Sequence, residues 1–234
     1  MSSGNPAFSL TLAPPAPHPP PAPLGLSSAL LARLGEPPLA RILTSPAPGE
    51  GSEADVLALL RRRPCELVAG VLIEKPMGLY ESALASHLGR RIGNFAEERN
   101  LGMVTGEAGT VRLAPGLVRI PDVSFFAWDR LPGRAFPAEP ISSLAPNLAV
   151  EVLSESNTAA EMAVKVRDYF GAGVEAVWIL DPEARTVDVY TGPDTVRRCG
   201  EQDVLEGEPA VPGFRLRVGE WLDAVPRSSR PATI

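Results

Sequence analysis

The sequence predicts a mixed α/β fold with a central mixed β-sheet flanked by helices. Three segments in a row carry that expectation. Residues 147–153, Asn-Leu-Ala-Val-Glu-Val-Leu, are nearly all apolar and read as a strand buried on both faces. Residues 158–170 then show helical spacing, and residues 175–180, Glu-Ala-Val-Trp-Ile-Leu, form a second apolar strand. Strand, helix, strand at this spacing is a parallel crossover, whereas the short Gly- and Pro-bounded runs elsewhere suit antiparallel pairs.

Taken in order, residues 1–50 are expected to stand outside the fold. Twelve of the chain's 26 prolines fall between Pro6 and Pro48, and a segment short of amide donors builds neither helix interior nor ladder. A ligand for a proline-binding groove is the functional reading of this head; a solvated tail is the plain one. Order is expected from Ser52, where Ser-Glu-Ala-Asp caps a short helix carrying Val56, Leu59 and Leu60, stopped by Pro64. Residues 66–68 and 71–74 flank Ala69-Gly70, a two-residue hairpin turn. From Leu79 to about Arg99, Leu84, Leu88, Ile92 and Phe95 mark the longest helix. Runs at 103–105, 110–113 and 123–127 suggest a meander. After residue 170, Gly171 and Gly173 end the third helix, and residues 185–190 pair back through the Asp181-Pro182 turn. A single domain over 51–225 with a short tail at 226–234 is the expectation, without an internal repeat.

Composition narrows the function. The chain has 234 residues, of which 44% are hydrophobic and 21% charged, so it is expected to be globular. No apolar stretch is long enough for a bilayer and no secretory start is evident, which points to a cytoplasmic protein with no membrane partner. Cys65 and Cys199 lie far apart, so neither a disulfide framework nor a zinc site is indicated. The formal charge of -6 argues against non-specific coating of nucleic acid, although Arg61-Arg62-Arg63 and Arg90-Arg91 are local strips able to hold phosphates. Residues 171–176, Gly-Ala-Gly-Val-Glu-Ala, follow a helix and precede a strand, the reverse of a dinucleotide fingerprint. There is neither a nucleotide P-loop nor a GxSxG elbow. His87 is the sole histidine after residue 50 and reads as packed or solvated, which disfavours histidine triads. Chemistry must therefore use carboxylates, lysine or a metal.

Three acids occupy positions where apolar residues are expected. Glu81 projects into the arc of Leu84, Leu88, Ile92 and Phe95, or simply complements the helix dipole in the first turn. Asp122 enters the run Val-Ser-Phe-Phe, or forms an ordinary turn. Glu151 interrupts an apolar strand, on the face of Ala149 and Leu153, where a carboxylate must be paired, protonated or bound to a cation. Lys165 flanks the buried face of the following helix, and pairs either there or on the surface with Glu161. Two carboxylates and a nearby lysine are the set that hydrolyses a phosphodiester with a hard cation, which offsets phosphate charge and supplies a water of lowered pKa.

Five segments in order, residues 66–74, 118–125, 148–157, 161–169 and 177–182, resemble the signature blocks of the Uma-two family of bacterial restriction-endonuclease-like proteins in the PD-(D/E)XK nuclease superfamily. The resemblance spans about residues 55–223. It implies a restriction-endonuclease-like sheet with a magnesium or manganese site on its central strands. Carried over, Asp122 is the PD aspartate, Glu151 the second acid, the Val152 carbonyl a further ligand, and Glu81 the acid of the first core helix. Leu153 stands where E-x-K would place lysine, and the resemblance points instead to Lys165 on the next helix. The expectation is a magnesium-dependent endonuclease acting on DNA, with Asp122, Glu151, Val152 and Glu81 at the metal and Lys165 positioning water. A homodimer is compatible with it. The rival expectation is a catalytically silent nuclease-fold module that binds or scaffolds.

Overall fold

A computed structural model describes residues 26–76 and 78–227. In chain order the elements are α1 (Ser28–Leu34), α2 (Glu53–Leu59), β1 (Cys65–Val68), β2 (Val71–Glu74), α3 (Leu79–Glu98), β3 (Gly102–Thr105), β4 (Val111–Ala114), β5 (Leu117–Arg119), β6 (Val123–Ala127), β7 (Leu148–Val152), α4 (Ala159–Gly171), β8 (Ala176–Asp181), β9 (Thr186–Gly192), β10 (Thr195–Cys199), β11 (Val204–Glu206), β12 (Arg215–Arg217) and α5 (Val218–Asp223). The predicted class holds. The main sheet runs β10-β9-β8-β7-β6-β3, with β7 and β8 parallel across α4 and its other neighbours antiparallel.

Period-two alternation decides what each face of this sheet meets. Val150, Val152, Trp178 and Leu180 pack with Leu84, Leu88 and Ile92 of α3 and with Trp221 of α5. Ala149, Val177 and Ile179 point the other way, against Met162, Val166 and Tyr169 of α4. Glu151 shares that second face, as its register requires.

A smaller sheet, β2-β1-β5-β4, departs from the expected meander. β3 pairs with β6 in the main sheet, while β4 and β5 form a hairpin that joins β1. The turn Gly116, at φ 72°, permits the tight return that splits the runs between two sheets. The β1–β2 hairpin forms as its Ala69-Gly70 turn predicts, with φ of 51° and 75° at the two residues. On one face of this sheet Leu67 and Leu72 pack with Val56 of α2, whose Ser52–Asp55 capping box is complete. On the other, Val68, Val71 and Ile73 pack with Leu34 of α1. Elements beyond Tyr190 have no counterpart in the sequence reading.

The boundary at residue 50 is corrected. Residues 1–25 and 228–234 lie outside the described residues, but 26–50 belong to the folded body. Ser27 caps α1 and Gly35, at φ 77°, ends it. Leu34, Ile42 and Leu43 are each at most 4% exposed, and Arg41 makes a bidentate bond to Glu161 at 2.8 Å on both arms. Enough apolar surface outweighs the prolines here. Deletion through residue 50 is therefore expected to cost about 5 kcal/mol from those three side chains alone. A drop of about 10 °C or more in melting temperature checks it; an unchanged melt would show that the segment contributes nothing.

Candidate functional site

The site is built where α4 passes between the two sheets. Its apolar side meets the main sheet, and Glu161, Lys165 and Asp168 turn toward the smaller one. Glu66 and Arg119 project from that sheet on the face of Val68 and Leu117. Lys165 Nζ lies 3.0 Å from Glu66 Oε1 and 3.2 Å from Glu151 Oε2, so one ammonium joins the two sheets. Arg119, fully buried, lies 2.8 Å from Glu66 and 2.5 Å from Asp168. The Tyr169 hydroxyl donates to the remaining oxygen of Glu151.

These contacts set the ionisation states. Burial alone would raise Glu66, but the Lys165 and Arg119 charges, then Lys75, outweigh it and hold Glu66 well below the usual carboxylate range. Burial would lower Lys165, yet Glu151 and Glu66 keep it above its ordinary value. Glu151 goes the other way: burial raises it, and Lys165 and Lys75 only partly counter that while Asp122 and Glu66 add to it. Four acids, Glu66, Asp122, Glu151 and Asp168, stand against three cations, Lys75, Arg119 and Lys165, which leaves one carboxylate undercompensated. Because Glu66 is depressed in the folded state, its stabilisation is present above the unfolded pKa of about 4.3 and is lost as pH falls through the folded value. Glu151, raised, has the opposite sign. Denaturant unfolding is expected to show stability falling from pH 5 toward pH 2, with the fall reduced in Glu66→Gln; an equal fall in both would remove Glu66 from the account.

Asp122 and Glu151 take different partners. The register Val123↔Val150 places the two acids side by side across β6 and β7. The chain bends at Asp122 as it enters β6, and Asp122 borders open space. Its Oδ2 accepts the Val152 N–H at 2.6 Å and its Oδ1 is 2.8 Å from Lys75 Nζ, which also donates to the Ile120 carbonyl. A cleft of about 360 Å³ is bordered by Asp122, Lys75, Glu81, Val152, Arg61 and Arg62. A second, of about 680 Å³, runs from Asp122 between α3 and β3, past Arg90, Asn94 and Trp128. Asp122 is common to both.

The expected residues are thus divided. Asp122, Glu81 and Val152 share the smaller cleft. Of the two readings of Glu81, the geometry supports the first-turn one, since its carboxylate lies so close over Gly78 at the helix start that a Cβ there would sit 1.8 Å from Oε2. Glu151 and Lys165 meet each other but border neither cleft; they are 4% and 2% exposed. The surface pair of Lys165 with Glu161 is overturned, because Gly35 and Arg41 cover that side of α4 and bury Glu161. Of the arginine strips, Arg61 and Arg62 reach the smaller cleft and Arg90 the larger, whereas Arg63 and Arg91 are tied to Glu74 and Glu220. His87 borders neither, and burial followed by Arg90 and Arg91 lowers its pKa.

Glu66, Lys75, Arg119 and Tyr169 were not singled out by sequence reasoning. One signal was present: Lys75 and Lys165 are the only two lysines among the chain's 22 basic residues.

Among the described residues, no three of His, Cys, Asp or Glu are grouped closely enough to hold a metal between them. Magnesium requires less, one or two carboxylates with carbonyl and water oxygens. Asp122 and Glu81, with Val152 beside them, fit that donor chemistry at the smaller cleft; Glu151 as it stands does not, since it is buried and borders neither cleft.

The family described as Uma2, "Putative restriction endonuclease", matches residues 54–219. No curated protein matches the chain. Among solved structures, a "putative nuclease belonging to DUF820" from Anabaena variabilis is similar, with a TM-score of 0.62 and 20% identity over 70% of this chain and 92% of that one. That likeness shows the fold, which is a mixed sheet flanked by helices. No helix among the described residues is long and apolar enough to cross a membrane. With the family match extending from α2 to α5 across every strand of both sheets, the chain belongs to the Uma2 family of restriction-endonuclease-like proteins.

Proposed function

We propose that this chain is a magnesium- or manganese-dependent endonuclease that hydrolyses phosphodiesters of nucleic acid, DNA first among them. The observation that carries the reading is Asp122, a half-buried carboxylate at the junction of two clefts, with Glu81 on one wall and arginines on the rims. Asp122 and Glu81 would hold the cation, with the Val152 carbonyl as a further candidate ligand. A bound cation would supply charge for the scissile phosphate and a water of lowered pKa. Arg61 and Arg62, exposed and facing the smaller cleft, are suited to the phosphates on either side of the scissile one. Glu151 and Lys165 fix β7 and α4 behind Asp122; in this reading any effect they have on the water passes through that support. Cytoplasmic placement and a homodimer remain compatible expectations of the reading.

A silent module is the second reading, favoured by one observation: Glu151 and Lys165 are fully satisfied by internal partners. Incubation with duplex, single-stranded and branched DNA and with RNA, in magnesium, manganese or chelator, separates the two. Cleavage of at least one substrate that stops with chelator supports the nuclease. Absence of cleavage throughout, with retained binding, supports the module.

A further inference from the structure

We infer that Lys75, and not Lys165, is the working lysine of the Asp122 cleft: its ammonium holds the cation position on Asp122 in the metal-free protein, yields it to a divalent cation, and then faces the phosphodiester. This rests on the reading of that cleft as a metal-dependent nuclease site.

Four observations converge on it. Lys75 Nζ is 2.8 Å from Oδ1 of Asp122, a residue that borders both clefts, whereas Lys165 is buried against Glu66 and Glu151 with no cleft beside it. Lys75 borders the same space as Glu81, Arg61 and Arg62, the groups suited to cation and phosphate. It leaves β2 at the residue after Glu74 and is followed by Pro76, so its stem is anchored by the hairpin while its head is held by two acceptors, Asp122 and the Ile120 carbonyl. Finally, the chain places arginine at 20 of its 22 basic positions and lysine at two, both buried in this network. An ammonium is a compact point charge with three donors and no rigid fork, which suits exchange with an ion at a single carboxylate oxygen.

The consequence is competition. Two cations that share one carboxylate oxygen disfavour one another, and removal of the resident one should tighten binding of the other. Lys165, on different acids, should not take part.

Because the chain has two lysines, protein labelled with 13Cε-lysine gives two methylene signals, assigned with Lys75→Arg. Saturation with magnesium should move the Lys75 signal and leave that of Lys165 in place. Manganese titration calorimetry should show Lys75→Met binding about tenfold more tightly than the parent, with a larger manganese-induced rise in melting temperature. Its cleavage at saturating manganese should nevertheless fall at least 100-fold. If the parent binds manganese and cleaves, but the Lys75 signal stays still or Lys75→Met retains parental affinity and cleavage, the assignment to Lys75 is overturned while the nuclease reading stands. If Lys75→Met does not fold, the two-signal spectrum of the parent decides alone. If the parent binds neither metal and cleaves nothing, both fall together.

Discussion

Replacement of Arg119 by methionine is expected to lower the melting temperature by about 6–20 °C. The guanidinium is 0% exposed and bonds Glu66 and Asp168 at once, with its pKa held above the ordinary arginine value because those two charges outweigh burial. Removal leaves Glu66 buried with Lys165 as its main counter-charge and Asp168 without its bonded one. Truncation of one partner of a buried ion pair costs about 3–5 kcal/mol, and each kcal/mol corresponds to roughly 2–4 °C at this size. Arg119→Lys should recover only part of the loss, since a single ammonium cannot present the fork that spans both acids. A change below about 2 °C in Arg119→Met would mean that the network tolerates an unpaired acid and does not organise the core.

Asp122→Asn is expected to reduce metal-dependent cleavage by at least about 1,000-fold, because the amide is a neutral and weaker ligand for a hard cation. Relief of carboxylate repulsion would raise metal-free stability, but the structure shows Asp122 paired with Lys75. Its loss leaves an ammonium 5% exposed with no carboxylate bonded to it, so the variant should be less stable by about 3 kcal/mol. The double variant Asp122→Asn, Lys75→Met should recover stability without recovering cleavage. Denaturant unfolding of the three proteins measures the first effect, and initial cleavage rates measure the second. Higher stability in Asp122→Asn would place the Lys75 contact outside the energetics of the site.

The parts of the fold that were legible carry strong local signals. Ser52 and Asp55 both form their predicted capping bonds, and the β7-α4-β8 crossover follows from two apolar runs around an amphipathic one. Glu151 announced itself as a charge in an apolar strand, and its alternation with Ala149 fixed the α4 face. What was hidden has a common cause, the smaller sheet. Its insertion against α4 gives Glu66 and Arg119 partners 53 residues apart, and the adjoining Gly35 and Arg41 bury Glu161, which helical spacing places on the surface. β5 is three residues long and ends in that arginine, so no alternation marks it. Proline density concealed α1, although Ser27, Leu30, Leu31, Leu34 and Gly35 spell cap, apolar face and stop. Lys75 follows a strand and precedes proline, a pattern shared with exposed turn lysines. Its rarity in this arginine-rich chain was the available clue.

The central claim is that the cation site lies at Asp122, on the cleft side of the main sheet. The most direct measurement is anomalous diffraction from crystals soaked in manganese. One strong peak is expected, bounded by the carboxylates of Asp122 and Glu81, with Lys75 moved off Oδ1, and no such peak in Asp122→Asn crystals. A peak on Glu151 between β7 and α4, or no peak at Asp122 in crystals of a protein that cleaves with manganese in solution, would contradict it.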